Sequence, residues 1–164
     1  MTEPTPIPEG IRRWSVAHAD IIKVSEEELP LTFSFLSGLG LPTQQVTPET
    51  ASRALLENFP DCKLVATTLG AEGSMVTTRE GIFRHPGFPV KLVDTVGAGD
   101  AFTAGLLHAY LRGASPATMA KIGNLCGSYV ASQQGATPAL SAELIASIRA
   151  LLGTQEHRPP GGSE

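Results

Sequence analysis

Short apolar runs rich in β-branched residues alternate along this chain with longer segments whose apolar residues recur at helical spacing, which points to an α/β layered fold. Residues 19–24 read as a buried strand, preceded by a short helix over 9–18 with Ile11, Trp14 and Ala17 on one face. Trp14 is assigned to the core or to a partner contact. Ser25-x-x-Glu28 fits a capping box, with Glu26, Glu27 and Glu28 well placed against a helix dipole. Pro30 has no amide to give, so the helix kinks or restarts there and continues over 31–39. Thr47-Pro48-Glu49 opens the next helix, whose stripe is Ala51, Ala54, Leu55 and Phe59.

A second buried strand is expected over 63–69, broken by Gly70 and Gly73, and a third over 74–78. Arg79-Glu80-Gly81 turns into Ile82-Phe83-Arg84 and completes a hairpin. Residues 90–93 read as a further short strand. Beyond residue 100, Phe102, Leu106, Ala109 and Tyr110 mark a helix stopped by Gly113. Ser115-Pro116 starts another through Met119, Ile122, Cys126, Tyr129 and Val130, ended by Gly135. Ser141 caps a last helix that turns Ile145, Ile148, Leu151 and Leu152 inward and ends at Gly153.

The 164 residues suit a single domain, and a 41% hydrophobic content supports a core. A net charge of −4 offers no basic field for a phosphate backbone, so nucleic-acid binding is not the expected role. The two cysteines, Cys62 and Cys126, make neither a disulfide framework nor a thiolate zinc site. His18, His85, His108 and His157 show no metal spacing, and His108 is read as a half-exposed structural residue. No secretory signal or membrane span is visible, so a soluble, cytoplasmic protein is expected. Pro and Gly load both ends. Residues 1–8 are read as a flexible N-terminus, 154–164 as a disordered tail, and 9–153 as the folded part.

The stretch Asp94-Thr95-Val96-Gly97-Ala98-Gly99-Asp100 carries the most chemical information. Small residues between a strand and a helix let the chain turn sharply and leave backbone N–H groups uncovered at the helix start. Those donors and the helix dipole form an anion site suited to phosphate. A carboxylate at Asp100 repels such an anion, unless it is there to take a proton from the nucleophile that attacks it. In-line phosphoryl transfer to a hydroxyl needs that pairing of a base for the acceptor with donors for the transferring group. An aspartate that merely favours the dipole beside a glycine turn accounts for the same residues without chemistry. The stretch is not a Walker A loop, because no Gly-Lys-Ser/Thr follows. Nor is it the dinucleotide fingerprint, because Phe102 stands at the third glycine.

Residues 94–107 resemble the signature of the PfkB (ribokinase-like) carbohydrate kinases, most specifically in Asp94-x-x-Gly97-x-Gly99-Asp100. Residues 19–29 are similar to the strand-to-helix region preceding that family's nucleotide site, in the form its fructokinase-type members have. Residues 67–76 resemble the strand and Gly turn that contact the nucleotide, and Asn124 and Gly135-Ala136 fall where the adenine-side segment lies. The resemblance covers residues 9–152 and implies a ribokinase-like layered α/β sandwich with ATP-dependent transfer to a sugar hydroxyl, fructose among the candidates. It makes Asp100 the base and the amides of Gly97, Ala98, Gly99 and Asp100 the holders of the transferring charge. It gives Glu28 the organisation of Mg2+, and places Thr68, Gly70 and Gly73 beside ATP with Asn124 near its base or ribose. Asp94, with main-chain carbonyls over 130–135, matches the site that holds K+ in some relatives. A capping-box role explains Glu28 without metal, and Asn124 and Thr68 also fit as ordinary polar positions of a helix and a strand.

Two departures accompany the resemblance. Ser25-x-x-Glu28 stands where the family usually has Asn-x-x-Glu, and only the C-terminal portion of the family domain is matched. An incomplete sandwich without the N-terminal strands and lid is therefore expected, from a fragment or a truncated gene product. Its open sheet edge and apolar faces would seek a partner, either a second copy or a separate N-terminal half. The alternatives to a kinase are a nucleotide-binding remnant without catalysis, or a partner chain completed by that other half.

Overall fold

The computed structural model describes residues 8–38 and 47–153. Its elements in chain order are α1 (Glu9–Ala17), β1 (Ile21–Ser25), α2 (Leu29–Gly38), α3 (Pro48–Asn58), β2 (Leu64–Thr68), β3 (Ser74–Thr78), β4 (Ile82–His85), α4 (Ala98–Leu111), α5 (Pro116–Ala131) and α6 (Ala142–Gly153). Single 3-10 turns at Glu26–Glu28 and Gly70–Glu72 precede α2 and β3. The strands follow one another as β1-β2-β3-β4. The α/β alternation expected from the sequence is present. The chain divides into two compact units, one holding the described residues up to Thr68 with Thr77–Ile82, the other Leu69–Val76 and everything from Phe83 onward. The proposed flexible N-terminus, the tail over 154–164, Leu39 and His157 lie outside the described residues, save that residue 8 is described.

In the first unit, β1 pairs with β2 in parallel, from Ile21 opposite Leu64 to Ser25 opposite Thr68. A parallel pair needs a crossover, which α2 and α3 supply. Pro30 sits in the first turn of α2, where a missing amide costs little, so the helix restarts after the 3-10 turn rather than kinking. Val24, Leu29, Phe33, Leu36, Leu55 and Val65 share one buried core. The burial expected of both strands is complete for the first four residues of β2, but in β1 only Val24 is buried. Thr47 caps α3, accepting from Thr50 N–H at 3.2 Å. At the other end of α3, Arg79 donates to the carbonyls of Leu56 (3.0 Å), Pro60 (3.0 Å) and Cys62 (2.7 Å), a guanidinium fork closing a helix C-terminus. The 79–81 turn closes with Thr78 N–H on Gly81 O at 2.9 Å, as the hairpin reading requires.

Trp14 is not a core residue. It is 64% exposed, stacked on His18 with ring centroids 4.5 Å apart, while His18 Nδ1 donates to the Trp14 carbonyl at 2.8 Å. The face read from Ile11, Trp14 and Ala17 thus leaves Trp14 on the solvent side, where its i, i+4 contact with His18 closes the end of α1.

In the second unit, residues 90–93 form no strand, which corrects the sequence expectation. Val90, Leu92 and Val93 are 44%, 64% and 55% exposed and no neighbouring strand pairs with them. Instead Val93 N–H donates to Ala131 O at the end of α5 (2.9 Å). Three apolar residues in four gave a strand-like pattern, but a strand also needs a partner for its amides. Gly113, at φ +71°, stops α4 as expected, and Ser115 caps α5 by accepting from Thr118 N–H. Helix α5 ends at Ala131, four residues before Gly135. Ser141 caps α6 through Leu144 N–H at 3.1 Å, yet Leu144 is the buried residue of that helix. Ile145, Ile148, Leu151 and Leu152 are only half-buried, because a cleft rather than a core faces Ile145, Ile148 and Leu152.

Candidate active site

The turn before α4 is built around a backbone conformation that only glycine adopts freely. Gly97, the N-cap of α4, has φ +81°, and a Cβ there would lie 2.3 Å from the carbonyl oxygen of Ala136. The Asp94 carboxylate ties this turn to the same segment. Its Oδ1 accepts from Val96 N–H at 3.0 Å and its Oδ2 from Gly135 N–H at 3.2 Å. Asp94 N–H in turn donates to Ala131 O at 3.2 Å, so the strand-like run expected ahead of the turn is replaced by a loop fastened to the end of α5.

Of the four amides assigned to an anion, that of Ala98 already donates to Thr95 O at 3.2 Å. The amides of Gly99 and Asp100 have no hydrogen-bond partner among the described residues, and both residues are exposed. Asp100 is the third residue of α4, so its carboxylate stands beside those two donors at the positive end of the helix. Local backbone donors and a single exposed carboxylate thus share one helix start.

What holds that helix start in place was not legible as a motif. Helices α4 and α5 pack through glycines. A Cβ on Gly105 would meet Cys126 Sγ at 2.7 Å, one on Gly123 would meet the Phe102 ring at 2.7 Å, and one on Gly127 would lie 3.1 Å from Ala98 O. The signal available was Gly123 and Gly127 at i, i+4 spacing on a helix whose other face is apolar.

Asn124, read as a base or ribose contact, is buried, and its Nδ2 donates to Ser74 Oγ (2.7 Å) and Ala120 O (2.8 Å). It ties α5 to the first residue of β3. Gly73, at φ +85°, is buried against the 85–87 segment, where a Cβ would meet His85 O at 2.1 Å. Gly70, at φ +56°, is exposed with nothing within 4 Å of its missing Cβ. His85 accepts from Gly87 N–H at 3.1 Å, and burial, helped by the charge of Lys121, lowers its pKa below the usual imidazole value. His108 is exposed on α4.

Thr68 and Glu28 belong to the first unit. Thr68 is the half-buried last residue of β2. Glu28 Oε2 accepts from Ser25 N–H (2.6 Å) and Ser25 Oγ (2.9 Å) and lies 3.8 Å from Lys23 Nζ, leaving Oε1 without a partner among the described residues. The Ser25 amide above all holds this carboxyl below its ordinary pKa, against the opposing effect of partial burial. No group of three or more His, Cys, Asp or Glu among the described residues gathers into a metal site, and none of their helices is long and apolar enough to cross a membrane.

Residues 2–143 match the model of the pfkB family of carbohydrate kinases. Fructokinase-1 of Oryza sativa is 34% identical over 135 residues, which cover 77% of this chain and 38% of the rice protein. Aminoimidazole riboside kinase from Salmonella enterica, solved with aminoimidazole riboside and an ATP analog, superposes with a TM-score of 0.66 at 30% identity, covering 88% of this chain and 46% of that one. Ribokinase from Thermotoga maritima superposes with a TM-score of 0.67 at 26% identity, covering 90% and 45%. The chain therefore has the ribokinase-like α/β fold over less than half the length of these proteins.

Proposed function

The chain belongs to the pfkB family of carbohydrate kinases, and from that premise we propose that it carries the phosphoryl-transfer site of an ATP-dependent kinase acting on a hydroxyl of a sugar or a sugar-bearing nucleoside. The reading rests on one observation above all: two amides without a partner among the described residues, of Gly99 and Asp100, and the Asp100 carboxylate share the start of α4. Asp100 takes the proton of the acceptor hydroxyl as its oxygen bonds to the γ-phosphorus. The bond from that phosphorus to the β–γ bridging oxygen breaks in line, and ADP leaves with the electron pair. The two amides and the helix dipole stabilise charge on the transferring group. Asp94 and Gly97 fix the turn that aims them.

Glu28 suits a Mg2+ role of the water-bridged kind, since it is ionised and keeps Oε1 free, and Mg2+ is commonly held by one or two carboxylates together with substrate phosphates and water. When bound, the ion would neutralise charge on the phosphates. Thr68, Gly70 and Gly73 border the nucleotide in this reading, and Asn124 supports that border through Ser74 rather than offering its amide outward. Potassium at Asp94 would be held by the lone pairs left on a carboxylate that already accepts two amides, with carbonyls of residues 130–135. Fructose is the first acceptor to try, given the likeness to the rice fructokinase, and aminoimidazole riboside the second.

The test is ADP release from ATP, Mg2+ and K+ by the purified chain, with fructose, ribose, 2-keto-3-deoxygluconate, aminoimidazole riboside or no acceptor. Acceptor-dependent release that Asp100→Asn abolishes is the expected result; equal release by wild type and Asp100→Asn refutes the role of Asp100. The opposing reading is nucleotide binding without transfer. Calorimetric binding of ATP by a folded chain that turns over none of these acceptors would select it.

A further inference from the structure

Helices α4 and α6 both seat on α5 and leave a trough between them. Gly105 meets α5 at Cys126, whereas Ala98 at the start of α4 meets Gly127 near the end of α5, so α4 runs antiparallel to α5. Tyr129 Oη donates to Ala139 O at 2.7 Å just ahead of α6, which therefore also sets out from the C-terminal end of α5. The trough encloses about 750 Å3. Its floor is Ile122, Cys126 and Val130 of α5, and its walls are Ala104 and Gly105 on one side and Ile145 and Ile148 on the other.

Dimensions and charge narrow what fits. Lining residues on α4 extend from Ala101 to Arg112, about 16 Å at 1.5 Å per residue. A helix roughly 10 Å across, sunk to its axis over that length, displaces about 650 Å3, close to the volume of the trough. The small side chains of the α4 wall let another helix axis approach. Among the described residues no carboxylate lines the trough, while Arg112 and Arg149 do, near the ends of α4 and α6, with His108 one turn away. Neither guanidinium has a carboxylate partner among the described residues.

We propose that the trough receives an amphipathic α-helix of a partner polypeptide, antiparallel to α4 and α6, with an acidic first turn. That direction sets the positive end of the incoming dipole beside the negative ends of α4 and α6. Acidic residues in its first turn then satisfy both their own helix and the two guanidiniums. The apolar face below them lies in the groove, as in other helix-in-groove complexes. This inference does not depend on the phosphoryl-transfer reading.

The test uses a fluorescein-labelled, amidated fifteen-residue peptide with Leu and Ala on one helical face and Glu at its first three positions, titrated with the full chain and followed by anisotropy. A second peptide has Lys at those three positions. Saturable binding of the acidic peptide, at least tenfold tighter than the basic one, is expected. Arg112→Glu combined with Arg149→Glu should reverse the preference, and Ala104→Trp, which fills the trough from an exposed position, should abolish binding. Equal affinity for the two peptides, affinity unchanged by Ala104→Trp, or no saturable binding overturns the proposal. If Ala104→Trp fails to fold, the charge reversal on two exposed side chains decides alone.

Discussion

Asp94 Oδ2 accepts the backbone amide of Gly135 at 3.2 Å, joining positions 41 residues apart, while Oδ1 holds Val96 N–H. Asp94→Ala removes an ionised acceptor from two amides, each such bond being worth roughly 1.5–3 kcal/mol and less where half-exposed. A loss of about 2 kcal/mol in urea unfolding is expected, with Asp94→Asn losing about half as much. An unchanged midpoint for Asp94→Ala would show that the carboxylate does not fasten the turn.

Gly97→Ala and Gly113→Ala separate backbone strain from crowding. Both glycines have positive φ, +81° and +71°, but only at Gly97 would a new Cβ run into backbone, the Ala136 carbonyl. The left-handed conformation alone costs an alanine about 1–2 kcal/mol. Gly113→Ala should lose that much, and Gly97→Ala distinctly more. Thermal unfolding of the pair measures the difference.

Crowding between α4 and α5 can be relieved from the other side. Gly105→Ala would press on Cys126 Sγ and on Ile122 O, and overpacking of this kind costs typically 1–3 kcal/mol. Cys126→Ala makes room for part of that methyl. The double mutant is therefore expected to be more stable than the sum of the single changes predicts, and additive losses would contradict direct contact.

The pH dependence of stability reports on Glu28. Its proton is bound more weakly in the folded chain than at the ordinary value of 4.5, chiefly because Ser25 N–H donates to the ionised form. The resulting stabilisation is present above about pH 4.5 and is lost as pH falls through the lower, folded value. The stability difference between wild type and Glu28→Gln should thus stay level from about pH 8 to 6 and shrink below pH 4.5. A difference that grows on acidification would reverse the assigned direction.

Helix starts were legible in the sequence because they are local: Thr47-Pro48, Ser115-Pro116 and Ser141 each place a side-chain oxygen within one turn of the amide it serves. The hairpin turn at 79–81 and the stop at Gly113 were legible for the same reason. The run at 90–93 misled because apolar spacing carries no information about whether a neighbouring strand exists. The core reading of Trp14 failed because helical spacing marks a face without saying what lies against it. At the candidate site, Gly97 and Asp100 stood out through residue type and spacing. The contacts of Gly105, Gly123 and Gly127 depend on how two helices meet, and the engagement of Asn124 with Ser74 crosses 50 positions.

The parallel pairing of β1 with β2 and the packing of α4 on α5 also differ in how far the chain must reach. Opposite residues of the strand pair, such as Ile21 and Leu64, are 43 positions apart with two helices between them, whereas Phe102 and Gly123 or Gly105 and Cys126 meet across 21 through a four-residue loop. Shorter loops close at lower entropic cost, and low-order contacts form faster. In pulse-labelling hydrogen exchange during refolding, the amides of α4 and α5 are accordingly expected to gain protection before those of β1. The stretch bearing Asp100 would then acquire its shape as a self-contained hairpin, ahead of the sheet.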